Sequence, residues 1–517
     1  MTSLPPAPRP AARGLYLLPA GMAVLLALVG FADRQYGLYK KPSARYQIHA
    51  IPVAVSYLYH GHPHDYTGYK AVANDFCGKF GTDVDATLQR WVDPAAPVGS
   101  ETYYWCADDR GLADYCVAAF RLFGPKLSSL SKLYLLLLGA SAALFVVGFR
   151  RRPTAWVVPV FVLLGHLVLV HAYHFREHVR LADGTVWGED VSLYEPRVFE
   201  VLAALAWFHL GLLAVAPRAD RWAWATALPQ AALLLFLFHC RSSLGWEYLA
   251  LLAAAGGCGA WKGVAALRGR GRWADAAGPA AVAALVVLSV AGLGAYKRAV
   301  YHPAYFAEAG VRTFWHNALI GFAYHPHFRD RHALDIDDLS ALLWVLRDAR
   351  AHGDPRCRPE WSRETFIASS VGDPSAFDWR DYEAVARDVY LRAWRDEPAA
   401  ALGCYAVYKP LDAARQAGEY ATGVALRGPP QRVWLLGGGL LVAAAAVGLL
   451  RRPTGADGDR GSARAVGLLA AVFLAFSLIP GVAFYLSIAT MSGVYLGLTV
   501  AAGCGALGLA RWRAASR

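Results

Sequence analysis

The chain has 517 residues, of which 56% are hydrophobic and only 17% charged, with a formal net charge of +12. A soluble domain usually carries about a quarter charged residues, so the composition excludes an ordinary soluble globule. The positive charge does not indicate nucleic-acid binding, because the basic residues gather at the ends of apolar runs, where they orient membrane helices.

In chain order, the apolar runs predict spans at about 15–31, 128–149, 154–173, 198–216, 222–239, 246–266, 276–296, 432–450, 465–485 and 489–510. Each approaches the roughly 20 residues that carry a helix across a hydrocarbon core about 30 Å thick. The first run follows Arg9 and Arg13 and leads into Asp33, Arg34 and Gln35 with no small-residue cleavage pattern. It reads as a retained helix rather than a signal peptide.

Orientation follows from the short connections. Arg150–Arg152, Arg218 with Arg221, Lys262 with Arg268, Arg270 and Arg272, Arg451 with Arg452, Arg460 and Arg464, and Arg511 with Arg513 and Arg517 all fall on one side when the spans alternate. Positive loops stay in the cytosol, so both termini are expected there. The predicted fold class is an all-α polytopic transmembrane bundle of about ten helices with two extracytoplasmic, mostly helical domains. The domains divide as 1–31, an N-terminus and first span; 32–127, a first outer domain; 128–296, six spans with a short outer loop at 174–197; 297–431, a second outer domain; and 432–517, three spans and a tail.

Within the first outer domain, Ile48 to Tyr59 is apolar and too short to span, which fits a helix lying on the membrane surface. In the second, Tyr382, Val385, Ala386, Val389 and Ala393 recur at helical spacing. Ile336, Leu339, Leu342, Leu343 and Leu346 form a similar inward set, and Asp396-Glu397-Pro398 ends one helix and starts another. Cys77, Cys106 and Cys116 fall in the first outer domain and Cys357 and Cys404 in the second. An oxidising compartment permits disulfides, and Cys357–Cys404 is the simplest pairing.

Four constellations carry candidate chemistry. His60, His62 and His64 alternate beside Asp65, a set able to hold a divalent metal ion if the segment is extended; the alternative is a polar loop. Asp108, Asp109 and Asp114 lead into an apolar helix and either bind a cation or an acceptor hydroxyl or, for Asp108 or Asp109, cap that helix. Arg312 and His316 stand one turn apart, able to face one anionic group, or belong to an aromatic-rich packing helix. The histidines within apolar runs, His166, His171, His209 and His239, read as hydrogen-bonded packing residues, with haem ligation the alternative. Arg241 and Glu247 flank a short outer turn and form a salt bridge or hold a phosphate.

The segment His62-Pro63-His64-Asp65, with Tyr69 four residues on, resembles the acid-bearing first outer loop of GT-C glycosyltransferases, which use polyprenyl-phosphate sugars. That resemblance implies Asp65 as catalytic base or metal ligand, although the acid of that family usually lies nearer the end of the first span. Asp108-Asp109-Arg110-Gly111 before Ala119-Phe120-Arg121-Leu122-Phe123-Gly124 resembles an uncharacterised family of bacterial multi-span proteins, which implies a shared fold and no activity. The His316-Asn317 run is similar to an outer-loop segment of O-antigen ligases, which implies a transfer role for His316.

Together these readings lead to a bacterial inner-membrane transferase acting at the outer face on polyprenyl-phosphate-linked sugar. Asp65 and His316 are its candidate catalytic residues, and Arg312, Arg241, Asp108 and Asp109 bind substrate. Expected partners are membrane lipids and a polyprenyl-phosphate donor, with no nucleic acid. The first alternative is a non-catalytic scaffold or assembly factor binding envelope partners. The second is a transporter, which predicts related halves; the sequence shows no repeat. There is no phosphate loop, dinucleotide fingerprint or nucleophile-elbow serine.

Overall fold

The computed structural model describes residues 45–78, 84–104, 109–152, 155–156, 176–180, 186–190, 199–215, 220–303, 305–306, 314–371, 376–415 and 458–485. Among them the chain is predominantly helical, and five helices are long and apolar enough to cross a membrane: Ser128–Gly148, Arg221–Cys240, Ser242–Leu267, Trp273–Val300 and Ala465–Ala483. These coincide with five of the ten expected spans. The spans expected at 15–31, 432–450 and 489–510 lie outside the described residues, as does nearly all of 154–173, with His166 and His171.

A short leading turn, Arg45–Ala50, runs into α1 (Ile51–Tyr59), followed by β1 (Thr67–Tyr69), α2 (Lys70–Gly78), α3 (Val84–Trp91), β2 (Thr102–Tyr104) and α4 (Gly111–Phe123). β1 pairs antiparallel with β2, Thr67 opposite Tyr104. The expected membrane-surface helix is α1, and its placement differs from expectation. Ile51 to Ser56 are all buried, and α1 packs on α4 and β1 inside the main core. Its apolar residues lie all around the helix, which suits a core position better than a one-sided interface.

The bundle comprises α5 (Ser128–Gly148), α6 (Phe199–Val215), α7 (Arg221–Ala225), α8 (Ala227–Cys240), α9 (Gly245–Leu267), α10 (Ala277–Val300) and α17 (Gly458–Ala483). Helix α6 is its hub. It is apolar on every face, buried from Phe199 to Ala214, and touches α5, α8, α9, α10 and α17. A helix that is hydrophobic all round has no face to give to water. The outer faces of α9 and α10 expose Leu249, Trp261, Val287 and Leu288, as expected where lipid replaces water.

Between α5 and α6, β3 (Arg176–Arg180) pairs antiparallel with β4 (Val186–Asp190). These two short pairings are departures from an all-α chain.

After α10 come α11 (Phe314–Ile320), α12 (Pro326–His332), α13 (Asp338–Ala351), α14 (Arg363–Val371), α15 (Trp379–Asp396) and α16 (Pro398–Gly403). They enclose a separate core containing Phe322, Phe328, Trp344, Trp361, Phe377 and Tyr382. The predicted inward set on α15 is buried throughout, and the helix breaks at Asp396-Glu397-Pro398 as its sequence requires. On α13, Leu342 and Leu346 point inward but Leu343 and Ile336 are exposed. The helix begins two residues after Ile336, capped by the Asp337 side chain on Ser340 N at 2.8 Å, and its buried stripe runs through Ala341, Trp344, Val345 and Ala349.

Candidate functional site

The end of the bundle where α8 and α10 finish and α4 begins holds a buried cluster around Asp114. Asp114 lies in the first turn of α4 and His239 in the last turn of α8. His239 Nε2 lies 2.8 Å from Asp114 Oδ2, and His64 Nε2 lies 2.9 Å from Asp114 Oδ1. The Tyr66 hydroxyl also donates to Asp114 Oδ2, and lies 3.1 Å from both His239 Nε2 and the Tyr296 hydroxyl. The Tyr301 hydroxyl reaches His239 Nδ1 at 3.3 Å. The partners fix a consistent tautomer: His239 donates from Nε2 to the carboxylate and accepts at Nδ1 from Tyr301.

Burial alone would raise the Asp114 carboxyl, but hydrogen bonds from His239, His64 and Tyr66 outweigh it and hold the group down to about 2. Asp114 is therefore a carboxylate accepting three hydrogen bonds. Burial, then the Asp114 charge, pushes the Tyr66 phenol well above its ordinary value, so it remains a donor. Burial does the same to Tyr301.

Local backbone geometry explains how Tyr66 gets there. Its φ is +67°, an uncommon conformation for an aromatic residue. The turn is held by Asp65, whose Oδ1 accepts from Thr67 N at 3.1 Å and Thr67 Oγ1 at 2.6 Å. His302 N donates to the Asp65 carbonyl at 3.2 Å, tying this turn to the end of α10. Asp65 thus sets the turn that aims its neighbours, His64 and Tyr66, at Asp114.

Of the group, His64 and Tyr296 are the members open to the outside. The His64 side chain is 34% exposed, against 17% for Asp114 and 6% for His239. Cations lie close by. Arg241 Nη1 is 2.6 Å from Asp109 Oδ2, and Ser242 N donates to Asp109 Oδ1 at 2.9 Å. The buried Arg110 guanidinium lies 4.3 Å from the Tyr305 ring centre, and Lys297 lies 5.6 Å from that of Tyr301.

The other expected site residues are distributed differently. The three alternating histidines do not converge. His60 Nε2 meets the Trp91 carbonyl at 2.8 Å, His62 is buried against Thr67 and the Tyr69 ring, and His64 turns to Asp114. Gly61 has φ +67°, which breaks the extended run that a shared face requires. No group of three or more His, Cys, Asp or Glu side chains placed to hold a metal ion occurs among the described residues. Asp109 does not cap α4 with its side chain; it takes Arg241 and Ser242 across to the α8–α9 turn. Asp108 and Arg312 lie outside the described residues.

His316 belongs to the second core, not to this cluster. It is 2% exposed, with Nδ1 2.6 Å from the Tyr382 hydroxyl and Nε2 3.3 Å from Asp338 Oδ1. The expected Cys357–Cys404 bridge is absent: both are free thiols, and Cys404 Sγ contacts the Gly321 carbonyl at 3.2 Å. His209 accepts a packing role, its Nε2 2.8 Å from the Ala223 carbonyl. A groove lined by Trp224, Trp261, Lys262, Arg270 and Asp275 lies at the opposite end of the bundle.

The sequence reads Asp114 with Asp108 and Asp109, and His239 as a packing histidine, with no link between the two and no role for Tyr66, Tyr296 or Tyr301. The signal present in the sequence is that His239 and Tyr296 each end an apolar run. No protein-family model, curated protein or solved structure matches this chain.

Proposed function

We propose that the chain is a membrane-embedded transferase working at the outer face of a bacterial inner membrane on a lipid-linked phosphate substrate, with a polyprenyl-phosphate sugar as donor. The reading takes the ten-span scheme with cytoplasmic termini, which puts the Asp114 end of the bundle on the outer side. The observation that carries it is the Asp114–His64 pair, a half-buried carboxylate holding the Nε2 of a partly exposed imidazole at 2.9 Å. With Nε2–H donated to Asp114, Nδ1 of His64 presents a lone pair. It takes the proton of an acceptor hydroxyl while the carboxylate stabilises the imidazolium that forms. Arg110, Arg241 and Lys297 give the surroundings positive charge suited to a phosphate. The general base is therefore assigned to His64, with Asp65 shaping its turn and His316 remote in the second core.

The test uses the full-length protein in lipid vesicles with a labelled polyprenyl-phosphate sugar and a hydroxyl acceptor. General-base catalysis is worth about 10²–10⁴-fold, so His64→Ala and Asp114→Asn are each expected to lower the rate by that order. Transfer at the wild-type rate in either variant, or none by the wild-type protein across donor sugars, overturns the reading.

One observation favours the scaffold reading: Leu402, Val407 and Leu411 are exposed near one another in the chain on the second unit. An envelope defect caused by charged substitutions there, with His64→Ala silent, would select it.

A further inference from the structure

A second acidic pair lies beside the Asp114 cluster and is not used by it. Glu200 is the second residue of α6 and Glu247 the third of α9, and they are 5% and 2% exposed. One oxygen of each is bonded: Ser243 Oγ donates to Glu200 Oε1 at 3.0 Å, and Ser477 Oγ of α17 donates to Glu247 Oε1 at 3.2 Å. The other oxygen of each, Oε2, is buried with no hydrogen-bond partner among the described residues. Glu247 lies within electrostatic reach of Glu200.

Two ionised carboxylates in that position are expensive. Each is acceptor-only, leaving a desolvated oxygen with nothing donated to it, and like charges oppose one another. The charged and titratable groups acting on Glu200 include Arg241 and Asp109, and Glu200 in turn acts on Tyr134 of α5. Arg241 is the cation among them, and its guanidinium is hydrogen-bonded to Asp109. One arginine thus serves Asp109 and Glu200 together.

We propose that Glu200 and Glu247 form a proton-binding site at this end of the bundle. A proton supplies what the pair lacks, since it removes one charge and converts an acceptor-only oxygen into a donor. A metal ion fits less well. The serine hydroxyls are already turned as donors toward Oε1, leaving two orphan oxygens, fewer than a hard cation takes. The turn Ser242–Leu244 links the pair to the neighbouring site. Ser242 binds Asp109 while Ser243 binds Glu200, so proton uptake is felt at Arg241, which serves both acids. The proposal stands whether or not the protein is a transferase.

Infrared spectroscopy of the full-length protein in lipid, titrated with pH in H2O and D2O, tests it. The expected result is a neutral-carboxyl carbonyl band at neutral pH that shifts in D2O, fades on alkalinisation, and weakens in Glu200→Gln or Glu247→Gln. Absence of the band at neutral pH, its persistence unchanged in both variants, or its loss on adding sodium at fixed pH overturns the proposal. The sodium outcome would assign the site to a metal cation instead. Should a variant not fold, mapping of dicyclohexylcarbodiimide adducts on the wild-type protein replaces it. An adduct on Glu200 or Glu247 supports the site, and adducts confined to other carboxyls refute it.

Discussion

Gly111 lies so close to His239 that a β-carbon added to it would meet the His239 backbone carbonyl at 2.5 Å. The first residue of α4 therefore rests directly on the last turn of α8, and this close approach brings Asp114, one turn along α4, within reach of the His239 ring. Gly111→Ala must push the two helix ends apart. Overpacking of this kind costs about 1–3 kcal/mol. The expected outcome is a lowered thermal midpoint together with loss of the His239–Asp114 hydrogen bond, read from the histidine ring proton resonances. An alanine variant with unchanged midpoint and resonances would show that the contact is loose.

Asp114 also gives a pH dependence. Its folded value, about 2, lies below the ordinary 3.8, so hydrogen bonding favours the ionised form in the folded protein. The stability this contributes is complete above the unfolded value and is lost as pH falls through the folded one, here between roughly pH 4 and pH 2. A shift of this size corresponds to about 2 kcal/mol. Asp114→Asn should unfold at lower denaturant concentration than wild type at pH 7, and the gap should narrow toward pH 2. A gap independent of pH would mean that the amide loses packing and not charge.

The second unit hangs on a carboxylate at a helix start. Glu383 on α15 accepts from Trp315 N at 2.8 Å and His316 N at 3.0 Å, the first-turn amides of α11 that have no helical partner. Removing a charged cap leaves those donors unsatisfied, at a cost of about 1–3 kcal/mol. Glu383→Ala should therefore speed protease cleavage within the second unit while leaving the bundle intact, and Glu383→Gln should recover part of the loss. Equal cleavage in Glu383→Ala and wild type would remove the cap from the account of this unit.

Both predicted cysteines test the same core. Cys404 is buried, its thiol raised to about 11 chiefly by burial, whereas Cys357 is half-buried at the rim. A thiol reagent should label Cys357 in the folded protein and Cys404 only after denaturation, with gel mobility unchanged by reductant. A reductant-dependent band shift abolished by Cys357→Ser would restore the bridge.

How much of this was legible depends on sequence distance. Helix α15 could be read directly, because Tyr382, Val385, Ala386, Val389 and Ala393 declare one face through local spacing. The apolar run of α6 was equally plain as a helix, but its role as hub was not, since spacing cannot say how many neighbours a helix has. Asp114 and His239 are 125 positions apart, and each had an adequate local explanation. Nothing near either residue encodes the other. The histidine run misled for the opposite reason: alternation suggested one shared face, and the left-handed turns at Gly61 and Tyr66 sent each ring elsewhere.

Lys409 joins the second unit to the long apolar helix α17, and its chemistry yields the last prediction. Its Nζ donates to the carbonyls of Val482 at 2.8 Å and Phe484 at 2.6 Å, and lies 3.8 Å from the Tyr405 ring centre. Those carbonyls are at the C-terminal end of α17, where backbone acceptors lack helical partners and a cation is favoured. Burial nevertheless lowers the ammonium from 10.5 to about 7, the nearby Cys404 opposing that shift. Here the unfolded chain binds the proton more tightly than the folded one. Stability therefore rises with pH between about 7 and 10.5 as the folded lysine loses its proton first. Wild-type protein should gain denaturant resistance across that interval, and Lys409→Met should not. Below pH 7 the comparison isolates the cap, because the lysine is charged in both states and the pH term vanishes. If Lys409→Met is there as stable as wild type, the bonds to α17 merely offset the burial of the charge. If it is weaker, they outweigh it, and α17 holds the second unit through this side chain.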